Sequence, residues 1–414
     1  MAIDTLGANA LASNSVTTAK IAADAVTSAK IPADAVVAAD IADGSVTTAK
    51  LADNAVTSAK ALNLGRRNLI INGAMQVAQR ATSATGIGTA NGVYPTVDRM
   101  IIEVGNTAGR LTMTQESITD LPGFTKAVKL ACTTADTSIA ADEFLMLGTR
   151  LEGQNLQHLK KGTSSAEKVT VSFYVKGNAN ATYTCELRDQ DNTRFNNIEF
   201  SVTSSWTRVS LTFDGDTTGA FDNDANLSLK CNLFLHGGST YSGGSHTNNV
   251  WHTTHNQRLS DNQTSFFDST SRTLFVTGWQ LEVGETATDF EHRSFGEELL
   301  LCQRYYEHTY PYGTAAGSAN GGIGADHRYV GRSTGNNYGY FTGHYRVEKR
   351  AAATVTVYSY VGTANQIAHG DTGSDSGAVG VIQNGTTSFL PRNTSGSGVS
   401  ERALLYHFRA DAEL

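Results

Sequence analysis

From residue 15 to residue 60 an apolar side chain falls at every fifth position. The stretch reads SVTTAKIAAD, AVTSAKIPAD, AVVAADIADG, SVTTAKLADN and AVTSAK, with Val16, Val26, Val36, Val46 and Val56 in register and Ile21, Ile31, Ile41 and Leu51 midway between them. On an α-helix a step of five rotates roughly 140°, so neither an apolar stripe nor a heptad seam forms. In an unbroken strand a step of five throws successive valines to opposite faces. The chain therefore turns inside each unit, and Pro32, Asp43-Gly44 and Asp53-Asn54 supply breakers. One medium aliphatic per five residues is too little apolar surface for a core of its own. Such a core is shared among copies wound about one axis, which predicts a trimeric shaft over residues 15–64 behind an attachment segment at 1–14. A single-chain solenoid of the pentapeptide-repeat type, which also turns every five residues, is the rival, and a disordered segment is the third reading.

Beyond residue 66 the pattern changes to short runs of Val, Ile, Thr and aromatic residues divided by Gly, Asn and Asp clusters. Strands are expected at 68–77, 96–104, 110–115, 125–132, 143–151, 168–175, 182–188, 195–202, 206–213, 227–235 and 273–283. Val169, Val171, Phe173 and Val175 alternate as one buried face. Many strands with almost no helical pattern between them spell a mainly β protein built on a β-sandwich. Ser294 and Glu297 form a capping box ahead of a short helix over 299–306. Strands at 355–360 and 403–408 close the chain.

Composition narrows the function. Charged residues are 17%, glycine numbers 40 and proline 5, as in a β-rich protein with a polar surface. The net charge of -7 argues against a nucleic-acid partner, whose phosphates call for a basic face. The start MAIDTLGANA has no basic segment followed by an apolar core, and no run approaches the roughly 20 apolar residues that span a bilayer, so neither secretion nor membrane insertion is expected. Cys132, Cys185, Cys231 and Cys302 are widely spaced and read as buried free thiols.

Three stretches carry a family resemblance. The middle region opens with Arg67-Asn-Leu-Ile-Ile-Asn-Gly-Ala-Met-Gln76 and closes with Gly278-Trp-Gln-Leu-Glu-Val-Gly284 and Ala287-Thr-Asp-Phe-Glu-His-Arg293. It resembles the jelly-roll domain, related to carbohydrate-binding modules, of tailed-bacteriophage tail fibres. Cys302-Gln-Arg-Tyr-Tyr306 resembles the helix that follows it, and Arg350-Ala-Ala-Ala-Thr-Val-Thr-Val-Tyr358 with Ala410-Asp-Ala-Glu-Leu414 resembles the C-terminal tip of such fibres. Where family tips usually place proline after the arginine, this chain has Ala351 to Ala353. The resemblance implies a jelly roll over 65–295, a linking helix over 296–309 and a tip domain over 310–414. It also implies a homotrimeric receptor-binding fibre, made in the host cytoplasm and carried on the virion tail. Its N-terminus would join a baseplate or tail protein, and its head would attach to host surface polysaccharide or lipopolysaccharide.

Sugar recognition calls for an aromatic ring to stack on the pyranose and amides or carboxylates for its hydroxyls. The long segment from His236 to Phe267 is too rich in Asn and aromatics to be a plain connection, and Tyr241, Asn249, Trp251 and His252 are its candidate contacts. Packing of Trp251 against its own domain or a neighbouring subunit is the plainer alternative. Trp206 and Trp279 fall on strands and read as core. In the tip, Tyr312 and Tyr340 are candidates, with trimer packing as the alternative for tyrosines that alternate along a strand. The resemblance also implies a structural calcium, for which Asn72, Glu282 and Glu291 are the nearest oxygen ligands, too few for the six to eight that calcium prefers. No other cofactor is expected. A polysaccharide depolymerase would need two carboxylates flanking the scissile bond; Asp142-Glu143, Asp222 with Asp224, and Glu297-Glu298 are ordinary turn or helix-start acids. No nucleophile elbow or H-E-x-x-H is present, so a non-enzyme is expected, with a purely structural connector as a further alternative.

Overall fold

A computed structural model describes residues 67–319, 327–330, 342–369, 375–393 and 403–414, with single positions between 21 and 47. The chain divides into two units, Met1–Ala61 and Leu62–Leu414. Most of the shaft expected over 15–64 lies outside the described residues. Within it, hydrogen-bonded turns close from Val37 O to Asp40 N at 2.9 Å and from Ala42 O to Ser45 N at 3.0 Å. Ile21, Ile31 and Ile41 are 44%, 45% and 46% exposed.

The second unit begins as two antiparallel sheets. Its strands are β1 Ser83–Ile87, β2 Ile101–Gly105, β3 Arg110–Ser117, β4 Lys126–Thr134, β5 Phe144–Glu152, β6 Val169–Gly177, β7 Ala181–Asp189, β8 Arg194–Val202, β9 Thr207–Phe213, β10 Leu227–Gly237 and β11 Thr273–Val283. Among the described residues a six-stranded sheet runs β1-β3-β4-β11-β6-β9 and a five-stranded sheet runs β2-β5-β10-β7-β8. Alternation decides which face is wet. Val171, Phe173 and Val175 of β6 meet Leu145 and Leu147 of β5 and Leu229 and Leu233 of β10 in one apolar cluster around the fully buried Trp279. The four cysteines are buried and free.

The strand expected over 68–77 is instead a turn. Asn72 adopts φ 61 and Met75 φ 58, and the Asn72 side chain accepts from Val77 N at 3.0 Å while donating to Val77 O at 2.8 Å. Asn72-Gly73 is a turn dipeptide inside an apolar run. Gly73 is required by a close approach, since a Cβ there would lie 2.1 Å from the Trp279 carbonyl oxygen. Sequence reading also misses β1, whose five residues are mostly exposed.

Ser294 caps the helix Phe295–Gln303, its side chain accepting from Glu297 N at 3.3 Å. The helix thus starts four residues before the expected 299, immediately after its cap. A third sheet of described strands centres on Ala403–Asp411, which pairs with Tyr306–His308, His327–Val330, Thr354–Ser359 and Gln366–His369. Side-chain links cross both boundaries placed by the sequence, those to Glu413 the one at 310 and those to Glu152 the one at 295. Arg80 holds Glu413 at 3.2 Å, Arg99 pairs with Glu413, and the Tyr305 hydroxyl donates to Glu152 at 2.6 Å beside the Arg304–Glu152 pair at 2.8 Å. Glu152 is the last residue of β5.

Candidate functional site

The segment 238–267 folds back over the outer face of the five-stranded sheet. Arg258 anchors it, donating through Nε and Nη2 to Glu186 of β7 at 2.6 and 2.8 Å. Its guanidinium packs among the rings of Phe195, Phe234 and Tyr241 at 4.6, 5.1 and 5.3 Å. His252 pairs by its backbone with Phe195 of β8, extending that sheet edge, and its ring meets the Asn197 amide oxygen at 3.3 Å. Burial lowers the His252 pKa below its ordinary value. Asn249, at φ 59, accepts from Asp214 N at 2.8 Å and donates to Asp214 Oδ2 at 3.1 Å. Tyr241 sits on a single helical turn, Ser239–Ser242, half-buried against Phe144 and Phe234. Of the predicted contacts in this segment, Asn249, His252 and Tyr241 are tied into the fold.

Trp251 lies where this segment reaches one end of the sandwich. Its indole N–H donates to Asp214 O at 2.7 Å, which fixes the ring plane. The ring closes a narrow apolar pocket of about 30 Å³ with Leu159, Val169, Leu187, Phe221 and Leu229. Phe221 also lines a wider cleft of about 390 Å³, whose rim carries Gln157, Lys160, Lys161 and Thr163. The single turn Gln157–Leu159, with Leu156 before it and Lys160 after it, supplies one wall of the cleft. An aromatic floor beneath the Gln157 amide, the Thr163 hydroxyl and the Lys160 ammonium suits a polar ring with one apolar face.

No family model and no curated protein matches this chain. Solved structures do resemble it at low similarity. A CBM4 structure is 9% identical over 51% of this chain and 98% of its own, with a TM-score of 0.27. TmCBM61 in complex with β-1,4-galactotriose is 10% identical over 53% and 99%, with a TM-score of 0.25. The family 11 carbohydrate-binding module of the cellulosomal cellulase Lic26A-Cel5E of Clostridium thermocellum is 12% identical over 50% and 98%, with a TM-score of 0.24.

The remaining candidates are scattered. Tyr312 is 46% exposed, packs edge-on against Phe295, and its hydroxyl accepts from Ala78 N at 2.9 Å. Tyr340 lies outside the described residues. Trp279 is core, as expected, whereas Trp206 is only partly buried and donates to Asp120 Oδ1 at 3.0 Å. The three calcium candidates are engaged by protein donors. The Asn72 amide is spent on Val77 and Asp98. Glu282 accepts from Thr288 N at 2.9 Å and Thr288 Oγ1 at 2.6 Å, and Glu291 accepts from Asn68 N at 2.6 Å. Among the described residues no three His, Cys, Asp or Glu side chains gather as a metal site, and no helix is long and apolar enough to cross a membrane. Of the paired acids, Glu143 accepts from Ala140 N at 2.9 Å and meets His236 Nε2 at 3.1 Å, and Glu298 accepts from Asn72 N at 2.5 Å.

Sequence reading missed Phe221, Gln157, Lys160 and Arg258. Phe221 stands alone in an Asp-rich turn, where a lone buried aromatic is the one local hint of a packed wall. Gln157 and Lys160 carry no pattern at all, because only the chain path brings them to the same mouth.

Proposed function

We propose that this chain is a homotrimeric bacteriophage tail fibre that attaches the virion to host surface polysaccharide or lipopolysaccharide without catalysis. The observation that carries the glycan reading is the cleft beside Phe221 and Trp251, with its polar rim of Gln157, Lys160 and Thr163. The shaft reading is supported by Ile21, Ile31 and Ile41, aliphatic residues ten apart and each nearly half exposed on one chain. In a trimer they face the partner copies and lose contact with water. Three weak sugar sites on one rod then gain through effective concentration. The N-terminal segment joins a baseplate or tail protein in this reading.

Adsorption competition tests it. The soluble protein should block phage adsorption to host cells, and Trp251→Ala or Gln157→Ala should each weaken the block about tenfold, a loss of roughly 1.4 kcal/mol in all. A protein that never adsorbs supports a structural connector instead. That second reading draws on the Arg258–Glu186 clamp, which spends much of the 238–267 segment on holding the fold together. Release of reducing ends from host polysaccharide would point to a depolymerase and overturn the non-catalytic reading.

A further inference from the structure

Lys161 is 7% exposed, and its ammonium lies inside a shell of oxygens. It pairs with Asp189 Oδ2 at 2.5 Å and Asp216 Oδ2 at 3.1 Å, and donates to the carbonyl oxygens of Thr218 at 2.8 Å and Gly219 at 2.7 Å. These oxygens come from the end of β7 and from the loop after β9, while the lysine follows the turn Gln157–Leu159. Two carboxylates and two carbonyls converging on one point are oxygen donors of the kind that a hard cation such as calcium takes, with water completing its six to eight ligands. An ammonium presents only three N–H groups, so charge as well as hydrogen bonding holds it among four oxygens.

The surroundings are built for a cation at this point. Asp216 is braced from behind by Arg194 through Nε at 2.6 Å and Nη2 at 3.1 Å, and Asp189 by Asn192 N at 3.0 Å and Asn192 Nδ2 at 2.9 Å. Lys161 and Arg194 together balance the two carboxylates. The same ammonium lies 5.2 Å from the Phe221 ring centroid and 5.5 Å from that of Trp251, the two aromatic rings of the narrow pocket beside the cleft.

We infer that Lys161 is the resident cation of a metal-type oxygen cage, and that it pins together the loops and aromatic rings that shape the cleft. The cage itself stands apart from any ligand; its consequence for glycan affinity rests on the reading under Proposed function.

The test uses the full chain with Lys161→Ala and Lys161→Met, each melted in buffer, in calcium chloride, in n-propylammonium chloride and in tetramethylammonium chloride at equal ionic strength. Both variants should melt roughly 5–10 °C below the parent, because two buried carboxylates lose their partner. In Lys161→Ala, calcium or n-propylammonium should recover at least half of that loss. Tetramethylammonium, which has no N–H, should not. Lys161→Met fills the space with an uncharged chain and should gain from neither cation. Tryptophan emission of Lys161→Ala should shift to longer wavelength, and the shift should vanish in a Trp251→Phe background. Melting unchanged by either substitution, a loss that neither cation recovers, or a Lys161→Ala protein that stays unfolded with both cations would overturn the inference. A cage that behaves as described in a protein that fails to adsorb to cells would count against the glycan reading alone.

Discussion

The guanidinium of Arg258 and the carboxylate of Glu186 meet through two hydrogen bonds of 2.6 and 2.8 Å, with 2% and 0% of their side chains exposed. Two further donors, Asn197 Nδ2 and Asn232 Nδ2, reach the same carboxylate at 3.1 Å each. This buried salt bridge joins the backbone pairing of His252 with Phe195 in fastening the segment to the sheet whose outer face it covers. Burial by itself would raise the Glu186 pKa, but Arg258 and the two amides outweigh it and hold the group at about 2.

Truncating one partner of this pair leaves the other charge buried alone, at a cost of about 3–5 kcal/mol. Arg258→Ala should therefore destabilise more than the double variant Arg258→Met with Glu186→Gln, in which no charge is stranded. Chemical denaturation of the three proteins measures the difference. Because the folded carboxyl titrates below its unfolded value of about 4.3, the stabilisation is complete above that pH and is lost as the pH falls toward 2. Equal losses in the single and double variants would contradict the account.

A second acid limb comes from histidines buried in the neutral form. Burial lowers the pKa of His236 and of His308, whose ring meets Gln79 O at 2.9 Å. An unfolded chain takes up these protons near pH 6.5 and the folded one does so only at lower pH. Stability should then fall as the pH drops from 7 toward 5, with each group contributing at most about 1.4 kcal/mol per pH unit. Asp98 works in the opposite sense. Burial raises it to about 6, so between pH 6 and its unfolded value the folded state holds the extra proton and gains on acidification. Denaturation across pH 5–7 should show a smaller slope in His308→Gln than in the parent.

Gly73→Ala should be among the costliest single-methyl changes in the protein. The added Cβ would fall 2.1 Å from the Trp279 carbonyl oxygen, and Trp279 N already donates to Gly73 O at 2.9 Å, so neither backbone can yield without breaking that bond. A loss of about 3 kcal/mol is expected, read as a drop in the denaturation midpoint. Gly296→Ala, where nothing lies within 4 Å of the added carbon, should be close to neutral.

The shaft prediction concerns mass. Replacing Ile21, Ile31 and Ile41 together by serine removes aliphatic groups that are 44–46% exposed on a single chain. If copies bury them, sedimentation equilibrium should show the parent at three chain masses and the variant shifted toward one. A parent that sediments as a single chain would remove the shaft from the proposal.

What the sequence determined by itself was whatever repeats locally. Ten of the eleven strands expected between 68 and 283 were legible as short runs of Val, Ile, Thr and aromatic residues between Gly, Asn and Asp clusters, because such side chains suit a pleated, packed surface whether one face or both are covered. Ser294 and Glu297 likewise announced a helix start, and the run 68–77 failed only because Asn72-Gly73 outweighed its apolar neighbours. Tertiary structure alone decided the site. Phe221, Trp251 and Lys161 are separated by tens of residues and meet because strands from two sheets end at one mouth. Arg258 and Glu186 stand 72 positions apart and meet only in the fold, and an ion pair between distant residues leaves no periodic trace in either partner. The fold is carried by short-range patterns of surface burial, whereas the cleft, the clamp and the cage depend on long-range contacts that exist only once both sheets have closed.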